Sequence, residues 1–536
     1  SGLFRQPHAR RWMEAADVLD RKDNLQALDV SIVKSIGILN ALGEFSPLHA
    51  RESVIHYALN DSLASAPAVA TGLEFLKEQS VLTYRKFNDT YRIWEGSDVD
   101  LDERIAEGER KTRDALSLSA SLARYLQSRP LVARRHSFET GALRFFSVTY
   151  ADDVGELQRL ASLKSTSDGQ VVVCLSSSVA QVQQFRDLVL TIQPGIDNLL
   201  IAIPQDIGEI RAAASELAAL RWVLDNTPDL RDDRAARREL GLRIADAEQL
   251  LRANVHRLLD PRDDPAGSKC LWFYQGVEWP TQSPVEVSQL LSYVCDKLFS
   301  DAPRIRNELI VRRSLSSQAA AARRNLVEAM LTRAAQPSLG IVGYPPERSM
   351  YESVLRATGL HTKGESDHWQ ISAPPRQHST NLWPAWQRLS DLVFKLQPEP
   401  QPLDQVFRAL AAAPYGVMDG LHPVLVCAFM TIHADEVTLY REGTFLPAPG
   451  VADFELLMRR PELFAIAGSR VKGARAEVVT RLAKGLGTKP ATVTVVRELF
   501  KMVRSLPEFA WRTNRLPDTA RKMRVAFDNA KSPDRF

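Results

Sequence analysis

Two adjacent carboxylates, Asp152 and Asp153, follow shortly after residues 144–150, whose composition is typical of a β-strand. Acidic residues at the end of a strand can hold the ion that positions and activates a water in metal-dependent nucleases. No Glu-x-Lys element follows this pair to complete such an ion site. We therefore keep a metal-dependent nuclease as an alternative function, and we assign no catalytic residue.

Glycine-bearing segments at 468–473 and 485–490 are the candidates for a phosphate-binding loop. Such a loop needs a fixed spacing of glycines followed by Lys and then Ser or Thr, because backbone amides surround the phosphates. Neither segment has this spacing, and Pro490 interrupts the second. The sequence predicts neither ATP hydrolysis by these residues nor a cofactor in this chain.

Metal-ligating residues come closest together at His361, Glu365, Asp367 and His368. Their spacing matches no zinc pattern, so the sequence favours a polar surface loop over a metal site. There is also no Gly-x-Ser-x-Gly motif and no cysteine beside a histidine that could act as its base.

The cysteines lie far apart among apolar neighbours, at Cys174, Cys270, Cys295 and Cys427. This pattern is typical of buried, reduced thiols and favours a cytoplasmic protein. The chain has no apolar run long enough to span a membrane, so no membrane partner is expected.

Basic residues cluster at two places, although the formal net charge of the 536-residue chain is only +3. Clusters of Arg and Lys can bind phosphates, whereas runs of charge are more often solvated surfaces with ion pairs. The candidates for nucleic-acid binding are Arg85, Lys86, Arg92, Arg304, Arg306, Arg312, Arg313, Arg323 and Arg324.

The elements around these residues are clearest between residues 170 and 259. Short apolar runs at 170–175 and 198–203 flank an amphipathic segment at 181–192, which predicts a parallel β-α-β unit. Two long segments at 207–224 and 232–259 follow, each with one apolar stripe. Because both stripes must be buried, we predict an antiparallel helical hairpin inserted into the central domain.

Two other regions have the pattern of small helical modules with a strand hairpin. The first has predicted helices at 28–42, 51–59 and 67–79 and strands at 81–85 and 90–94, which is typical of a winged helix. The second has predicted helices at 403–412, 421–433 and 452–459 and strands at 437–440 and 444–446. We interpret it as a second winged-helix-like unit.

The predicted fold is therefore an α/β multidomain protein that is mostly helical, with a helical C-terminal region. The expected units are a helical lead-in at 1–23, a winged-helix domain at 24–97, a connecting helix at 98–140, the α/β domain at 141–280 with its hairpin at 207–259, a mixed helical region at 281–396, the second winged-helix-like unit at 397–470 and a helical tail at 471–536.

Several stretches resemble the large ATP-binding proteins of bacterial phage-defence and restriction loci, the BREX-type and phage-growth-limitation ATPases. The resemblance rests on segments 91–98, 219–240, 306–309, 414–420 and 506–509. In that family an amino-terminal P-loop domain holds the nucleotide. The resemblance therefore implies that this chain is a segment of a longer protein in which ATP and magnesium bind elsewhere, and no catalytic residue is carried over.

Together, these observations predict a non-catalytic scaffold that couples nucleotide state to DNA or to a partner protein in an anti-phage defence ATPase. The expected partners are proteins of a defence complex, with double-stranded DNA and a second copy of the chain as alternatives. The other functions kept open are a DNA-binding regulator that uses the arginine-rich surfaces and the metal-dependent nuclease.

Overall fold

The computed structural model describes residues 15–16, 18–20, 25–42, 48–59, 66–85, 89–94, 101–113, 117–126, 129–163, 165, 167–192, 196–231, 234–259, 270–280, 284–364, 367–394, 399–469, 474–513 and 515–529. The fold is α/β, mostly helical and divided into several domains. Most of the predicted lead-in at 1–23 lies outside the described residues.

The first module contains α1 (Ala27–Leu42), α2 (Glu52–Leu59), α3 (Ala66–Glu78), β1 (Leu82–Arg85) and β2 (Thr90–Ile93). The two strands are antiparallel, with Leu82 opposite Ile93. Ile32, Ile36 and Leu73 belong to the buried core between them and the helices. The order of helices and strands predicted for this module is confirmed.

The connection from this module to the central sheet is more divided than predicted. Its elements are α4 (Leu101–Thr112), α5 (Leu118–Tyr125), β3 (Leu131–Val132) and α6 (Arg134–Thr140). In place of one connecting helix, α5 begins anew where the Ser117 side chain accepts a hydrogen bond from the backbone N–H of Ala120. A side chain that caps a helix in this way marks a new helix start.

The central sheet has six strands in the order β3-β4-β5-β6-β7-β8. Their bounds, with the intervening helices, are β4 (Phe145–Ala151), α7 (Val154–Ser162), β5 (Gly169–Cys174), α8 (Val179–Ile192), β6 (Leu199–Pro204), β7 (Cys270–Tyr274) and β8 (Val277–Trp279). Strands β4, β5 and β6 are parallel, so the predicted parallel β-α-β unit is confirmed. The strand predicted at 144–150 corresponds to β4, and the short β3 pairs with it at the edge of the sheet.

Both faces of this sheet are buried. Along β5, Val171 and Val173 belong to one core, whereas Val172 and Cys174 belong to the other. This alternation is the side-chain period of a strand. Helices α7 and α8 cover the second face, and the first is covered by α5, α9 (Gly208–Asn226), α10 (Arg234–Leu259) and α11 (Pro284–Leu298).

Helices α9 and α10 connect β6 to β7 in the chain, and they pack side by side. Arg257 near the end of α10 pairs with Glu209 at the start of α9, with 3.2 Å between Nη1 and Oε2. Arg221 and Glu248, nearer the other end of the pair, also form an ion pair. The two helices therefore run in opposite directions.

The C-terminal part of the chain is built around a second sheet. Its elements are α12 (Ser317–Thr332), α13 (Pro346–Met350), β9 (His361–Lys363), β10 (Trp369–Ile371), α14 (Trp383–Phe394), β11 (Gln401–Pro402), α15 (Leu403–Ala411), α16 (His422–Ile432), β12 (Val437–Arg441), β13 (Thr444–Leu446), α17 (Val451–Arg459), β14 (Phe464–Gly468), α18 (Ala474–Leu486), α19 (Thr492–Ser505), α20 (Glu508–Arg512) and α21 (Asp518–Asn529). The sheet order is β11-β14-β12-β13, so the unpredicted β14 occupies a central position. Within the described ranges, no helix has the length and apolar character needed to cross a membrane.

Candidate functional site

The first module contacts the α9–α10 pair through a buried arginine. The Arg85 side chain is 1% exposed; its Nη1 lies 2.8 Å from Asp246 Oδ2 and its Nη2 lies 3.0 Å from Glu239 Oε2. Both acids lie on α10, seven positions apart, so they project from the same face of the helix. This geometry ties β1 to α10.

A second arginine extends this contact to the connecting helix α4. Arg243 of α10 donates to Glu239 Oε1 at 3.2 Å, to Thr83 Oγ1 at 2.7 Å and to Asp102 Oδ1 at 2.8 Å. Burial disfavours the charge of Arg243, but Asp102 and Glu239 outweigh this effect, so the pKa of Arg243 is raised. We name the set Thr83, Arg85, Asp102, Glu239, Arg243 and Asp246 the Arg85 junction.

Helix α4 also packs closely on α9 beside this junction. A Cβ atom on Gly108 would come within 2.8 Å of the carbonyl oxygen of Ala219. A larger residue at this position would push the two helices apart, because Cβ atoms do not approach backbone oxygens so closely. The first module, the connecting helix and the α9–α10 pair therefore form one packed unit.

A second ionic network joins the central sheet to the C-terminal part. Asp168, which precedes β5, accepts from Arg144 Nη1 at 2.9 Å and from Arg313 Nη2 at 2.7 Å. Its other carboxylate oxygen accepts from the backbone N–H of Phe145 at 3.1 Å. The Asp168 and Arg144 side chains are only 2% and 3% exposed. We name Arg144, Asp168 and Arg313 the Asp168 junction.

Arg144 reaches across this junction to the loop between α15 and α16. It donates a hydrogen bond to the carbonyl oxygen of Gly416, and its guanidinium carbon lies 4.0 Å from the centre of the Phe299 ring. Burial lowers the pKa of Arg144, and the carboxylate of Asp168 opposes that effect. The ion pair with Asp168 therefore stabilises a charge that burial alone would disfavour.

The two described candidates for nucleic-acid binding in the first hairpin, Arg85 and Arg92, are not fully exposed. Arg85 is buried in its junction, Lys86 lies outside the described residues, and Arg92 is half-buried. Nucleic-acid binding by this hairpin stays a prediction, although Arg85 does not face solvent in this arrangement.

The second basic cluster is divided by its partners. Arg313 contacts Asp168, Arg323 Nη1 lies 3.4 Å from the carbonyl oxygen of Gly420, and Arg324 Nε lies 3.7 Å from Glu455 Oε1. Burial lowers the pKa of Arg323. These three side chains therefore make contacts within the protein.

The remaining members of that cluster face solvent. Arg304 and Arg306 are exposed and alternate with the buried Ile305 and Asn307, so both point to the same side of the segment. The Arg312 side chain is 55% exposed and lies 3.9 Å from Glu308. Together with Arg313 and Arg324, whose side chains are 38% and 44% exposed, these arginines provide accessible positive surface in this region.

The paired carboxylates at the end of β4 are engaged in local hydrogen bonds. Asp152 accepts from the Ser117 hydroxyl at 2.8 Å and from the Ser119 backbone N–H at 2.9 Å. Asp153 caps α7 by accepting from the backbone N–H of Glu156 at 2.8 Å. In the part of the chain that the structure describes, no three His, Cys, Asp or Glu side chains converge as metal ligands.

In the predicted polar surface loop, Asp367 and His368 are exposed, as expected, whereas His361 is buried. His361 is 1% exposed; its Nδ1 lies 3.0 Å from the Tyr351 hydroxyl and its Nε2 lies 2.8 Å from the carbonyl oxygen of Ala334. Both ring nitrogens are therefore used in packing this strand. Glu365 lies outside the described residues.

The prediction of buried, reduced cysteines is confirmed. All four thiols are buried and free. Burial raises the pKa of Cys295 and of Cys427 to about 12, so both are neutral thiols at physiological pH.

Arg85 and Arg313 were predicted only as nucleic-acid candidates, and their acidic partners, together with Arg144 and Arg243, were not predicted from the sequence. A signal was present at Glu239, Arg243 and Asp246, whose spacing places them on one helix face. Another was the position of Arg144 and Asp168 just before neighbouring parallel strands, since the amino ends of such strands lie at one edge of a sheet.

Comparison of the chain with protein-family models, with curated proteins and with solved structures gives no match.

Proposed function

We propose that this chain is a non-catalytic coupling scaffold, in which the first module is a winged helix whose docking on α10 reports the binding of a partner to the central domain. The observation that supports this proposal is the Arg85 junction. Its guanidinium contacts two carboxylates on α10 at 2.8 and 3.0 Å.

The composition of the contact favours a docking surface that can release. The acids of the junction retain access to water, with Glu239 15% and Asp246 31% exposed. Opening the contact would rehydrate these charges, whereas separating an apolar core exposes surface that water disfavours. An ionic interface of this kind can therefore exchange between closed and open states at modest cost in free energy.

Opening of the Arg85 junction could be transmitted to the C-terminal part through the Asp168 junction. The α9–α10 pair follows the carboxyl end of β6 and precedes β7 in the chain. At the opposite end of the parallel strands, before β5, Asp168 pairs with Arg313. The central domain is therefore the body between an ionic docking surface and a buried ionic anchor.

The resemblance to phage-defence ATPases supplies the context of this proposal. In that context the nucleotide is hydrolysed by another part of the protein, and this chain couples nucleotide state to duplex DNA or to a protein of the defence complex. Such coupling requires two arrangements whose populations a ligand can shift.

The test is a titration of the purified chain with duplex DNA and with ATP at low salt. We expect no ATP turnover by the chain and a change in hydrogen exchange of β1 and β2 when the partner binds. Strong ATP hydrolysis would overturn the proposal. A second outcome would also contradict the proposal. In it, the partner binds the wild type without changing hydrogen exchange at residues 82–93, although Arg85→Gln by itself does change that exchange. The partner would then bind without affecting the docking of the first module.

A second candidate function is direct nucleic-acid binding through Arg304, Arg306 and Arg312. The observation that favours it is their exposure on a segment outside the helices, although Arg312 lies 3.9 Å from Glu308, whose charge opposes phosphate binding. Exposed arginines of this kind can neutralise phosphates, which makes the affinity depend on salt.

A further inference from the structure

A cavity of about 760 Å³ lies at the edge of the central sheet. It is bounded by the end of α5, the strands β3 and β4, the last turns of α10 and the first turns of α11. Its volume falls within the roughly 300–1,000 Å³ that is typical of small-molecule sites.

The wall of this cavity is mainly aliphatic. The apolar lining residues are Leu126, Leu131, Val132, Val148, Val255, Leu259, Val285, Val287 and Leu291, and Tyr150 is the aromatic member. A wall of branched aliphatic side chains suits an alkyl chain, whereas a nucleobase is usually held between aromatic rings.

The polar lining is dominated by basic side chains. Arg129, Arg134, Arg135, Arg252 and His256 all line the cavity, and no aspartate or glutamate is among its described lining residues. Arg135 pairs with Asp296 and Glu139. Arg129 and Arg252 are exposed, and neither forms an ion pair with a carboxylate in the described ranges.

A second feature of the cavity also favours a negative charge. Val285, Val287 and Ser288, in the first turns of the 15-residue helix α11, are part of the lining. The amino end of a helix carries a partial positive charge and backbone N–H groups without helical partners. An anionic group at this end of the cavity would meet both the helix end and the arginines.

We propose that this cavity binds a single-chain amphiphile with an anionic head group. The alkyl chain lies against the aliphatic wall, and the head group lies near Arg129, Arg252 and the start of α11. The inference is independent of the coupling function, since it rests on the lining of the cavity alone.

The first test is calorimetric titration of the whole chain with dodecanoate below its micelle concentration. Decanoate and octanoate should bind more weakly, by about fourfold for each methylene removed from the buried chain. Dodecanol, which has the same chain without the charge, should bind at least about tenfold more weakly. Equal binding of dodecanol and dodecanoate would overturn the proposal.

The source of the head group is resolved by a parallel titration with lauroyl lysophosphatidate. Binding of either amphiphile supports the proposal, and the tighter one identifies the head group as a carboxylate or a phosphate. Absence of binding by both overturns it.

Matched variants on α10 locate the head group. Arg252→Gln should weaken dodecanoate binding by about tenfold, whereas Arg257→Gln, on the same helix but outside the cavity lining, should leave it unchanged. Val285→Asp places a negative charge at the start of α11, on a side chain that is 63% exposed, and should weaken dodecanoate binding more than dodecanol binding. Equal effects of Arg252→Gln and Arg257→Gln, with both variants folded by circular dichroism, would contradict the assigned site.

Discussion

The Nη1 atom of Arg85 lies 2.8 Å from the Oδ2 atom of Asp246, although 161 positions separate the two residues in the chain. This contact joins a short strand hairpin to a long helix through charge. Because Arg85 is 1% exposed, its guanidinium depends on its acidic partners in place of water.

Arg85→Gln should loosen the first module, because it removes charge-assisted hydrogen bonds to Asp246 and Glu239. We expect the free energy of local opening to fall by about 1–3 kcal/mol, measured as faster hydrogen exchange in β1 and β2. The control is Lys77→Gln, which removes an exposed ion pair with Glu74 in the same module. Similar exchange in both variants would show that the buried contact does not hold the module.

Asp168→Asn should destabilise the contact between the central sheet and the C-terminal part. It would leave Arg144, which is 3% exposed, without its carboxylate partner. Removing one member of a buried ion pair costs roughly 3–5 kcal/mol, which chemical unfolding would measure. Asp197→Asn is the matched control, because Asp197 precedes the neighbouring strand β6, as Asp168 precedes β5, but is exposed.

The pH dependence of stability should include a contribution from His422. Burial lowers its pKa to about 3, with Arg323 adding to the effect and the carbonyl of Val417 opposing it. The unfolded chain therefore binds a proton below about pH 6.5 that the folded chain rejects, and stability falls as the pH drops from there towards 3. For one histidine the slope reaches at most about 1.4 kcal/mol per pH unit.

Urea unfolding between pH 7 and pH 4 tests this contribution. His422→Gln should flatten the slope while keeping a donor for the carbonyl of Val417. Parallel slopes for wild type and His422→Gln would exclude His422 as a source of acid sensitivity.

Gly141→Ala should destabilise the protein more than Gly443→Ala. Both glycines have positive φ, 78° and 76°, so each substitution incurs a backbone strain of roughly 1–2 kcal/mol. At Gly141 the new Cβ would also lie 2.1 Å from the carbonyl oxygen of Ile305, whereas nothing lies within 4 Å at Gly443. The difference between the unfolding free energies of the two variants measures the cost of the clash with Ile305. Equal losses of stability would mean that the segment around Ile305 moves away at little cost.

If nucleic acid binds at the exposed arginines, the triple variant Arg304→Glu, Arg306→Glu and Arg312→Glu should lower both affinity and salt dependence. Loss of three phosphate contacts reduces the slope of log affinity against log salt by about 3. The control reverses three exposed charges elsewhere, at Arg159, Arg186 and Arg408. An equal loss in the control would indicate attraction to overall charge.

Local patterns predicted much of the fold. The β-branched run before Cys174 and the amphipathic segment after it lead directly to β5 and α8, since burial on two faces requires those patterns. β3 and β11 have 2 residues each and β8 has 3, too few for any periodicity to show. The unpredicted β14 lies in Phe464–Gly468, where Ala and Gly weaken the strand signal.

The candidate site was harder to predict because its contacts are distant in sequence. Arg85 was expected at a phosphate surface, since an arginine on a hairpin gives no indication that two acids of α10 will cover it. Likewise, Arg313 was grouped with its neighbours by sequence, whereas Asp168 separates it from Arg312 in space. Pairing across the chain is decided by the tertiary fold, which single-sequence patterns do not contain.

Helix α10 carries both the acids that hold Arg85 and, about two to five turns further on, Arg252 and His256 of the cavity wall. Its 26 residues span about 39 Å as one continuous rod. A displacement of α10 along its axis at the Arg85 junction would therefore also move the part of the helix that lines the cavity. Binding at the two sites is then reciprocal. If an amphiphile in the cavity strengthens the docking of the β1–β2 hairpin on α10, the docked hairpin must increase the affinity for the amphiphile by the same factor.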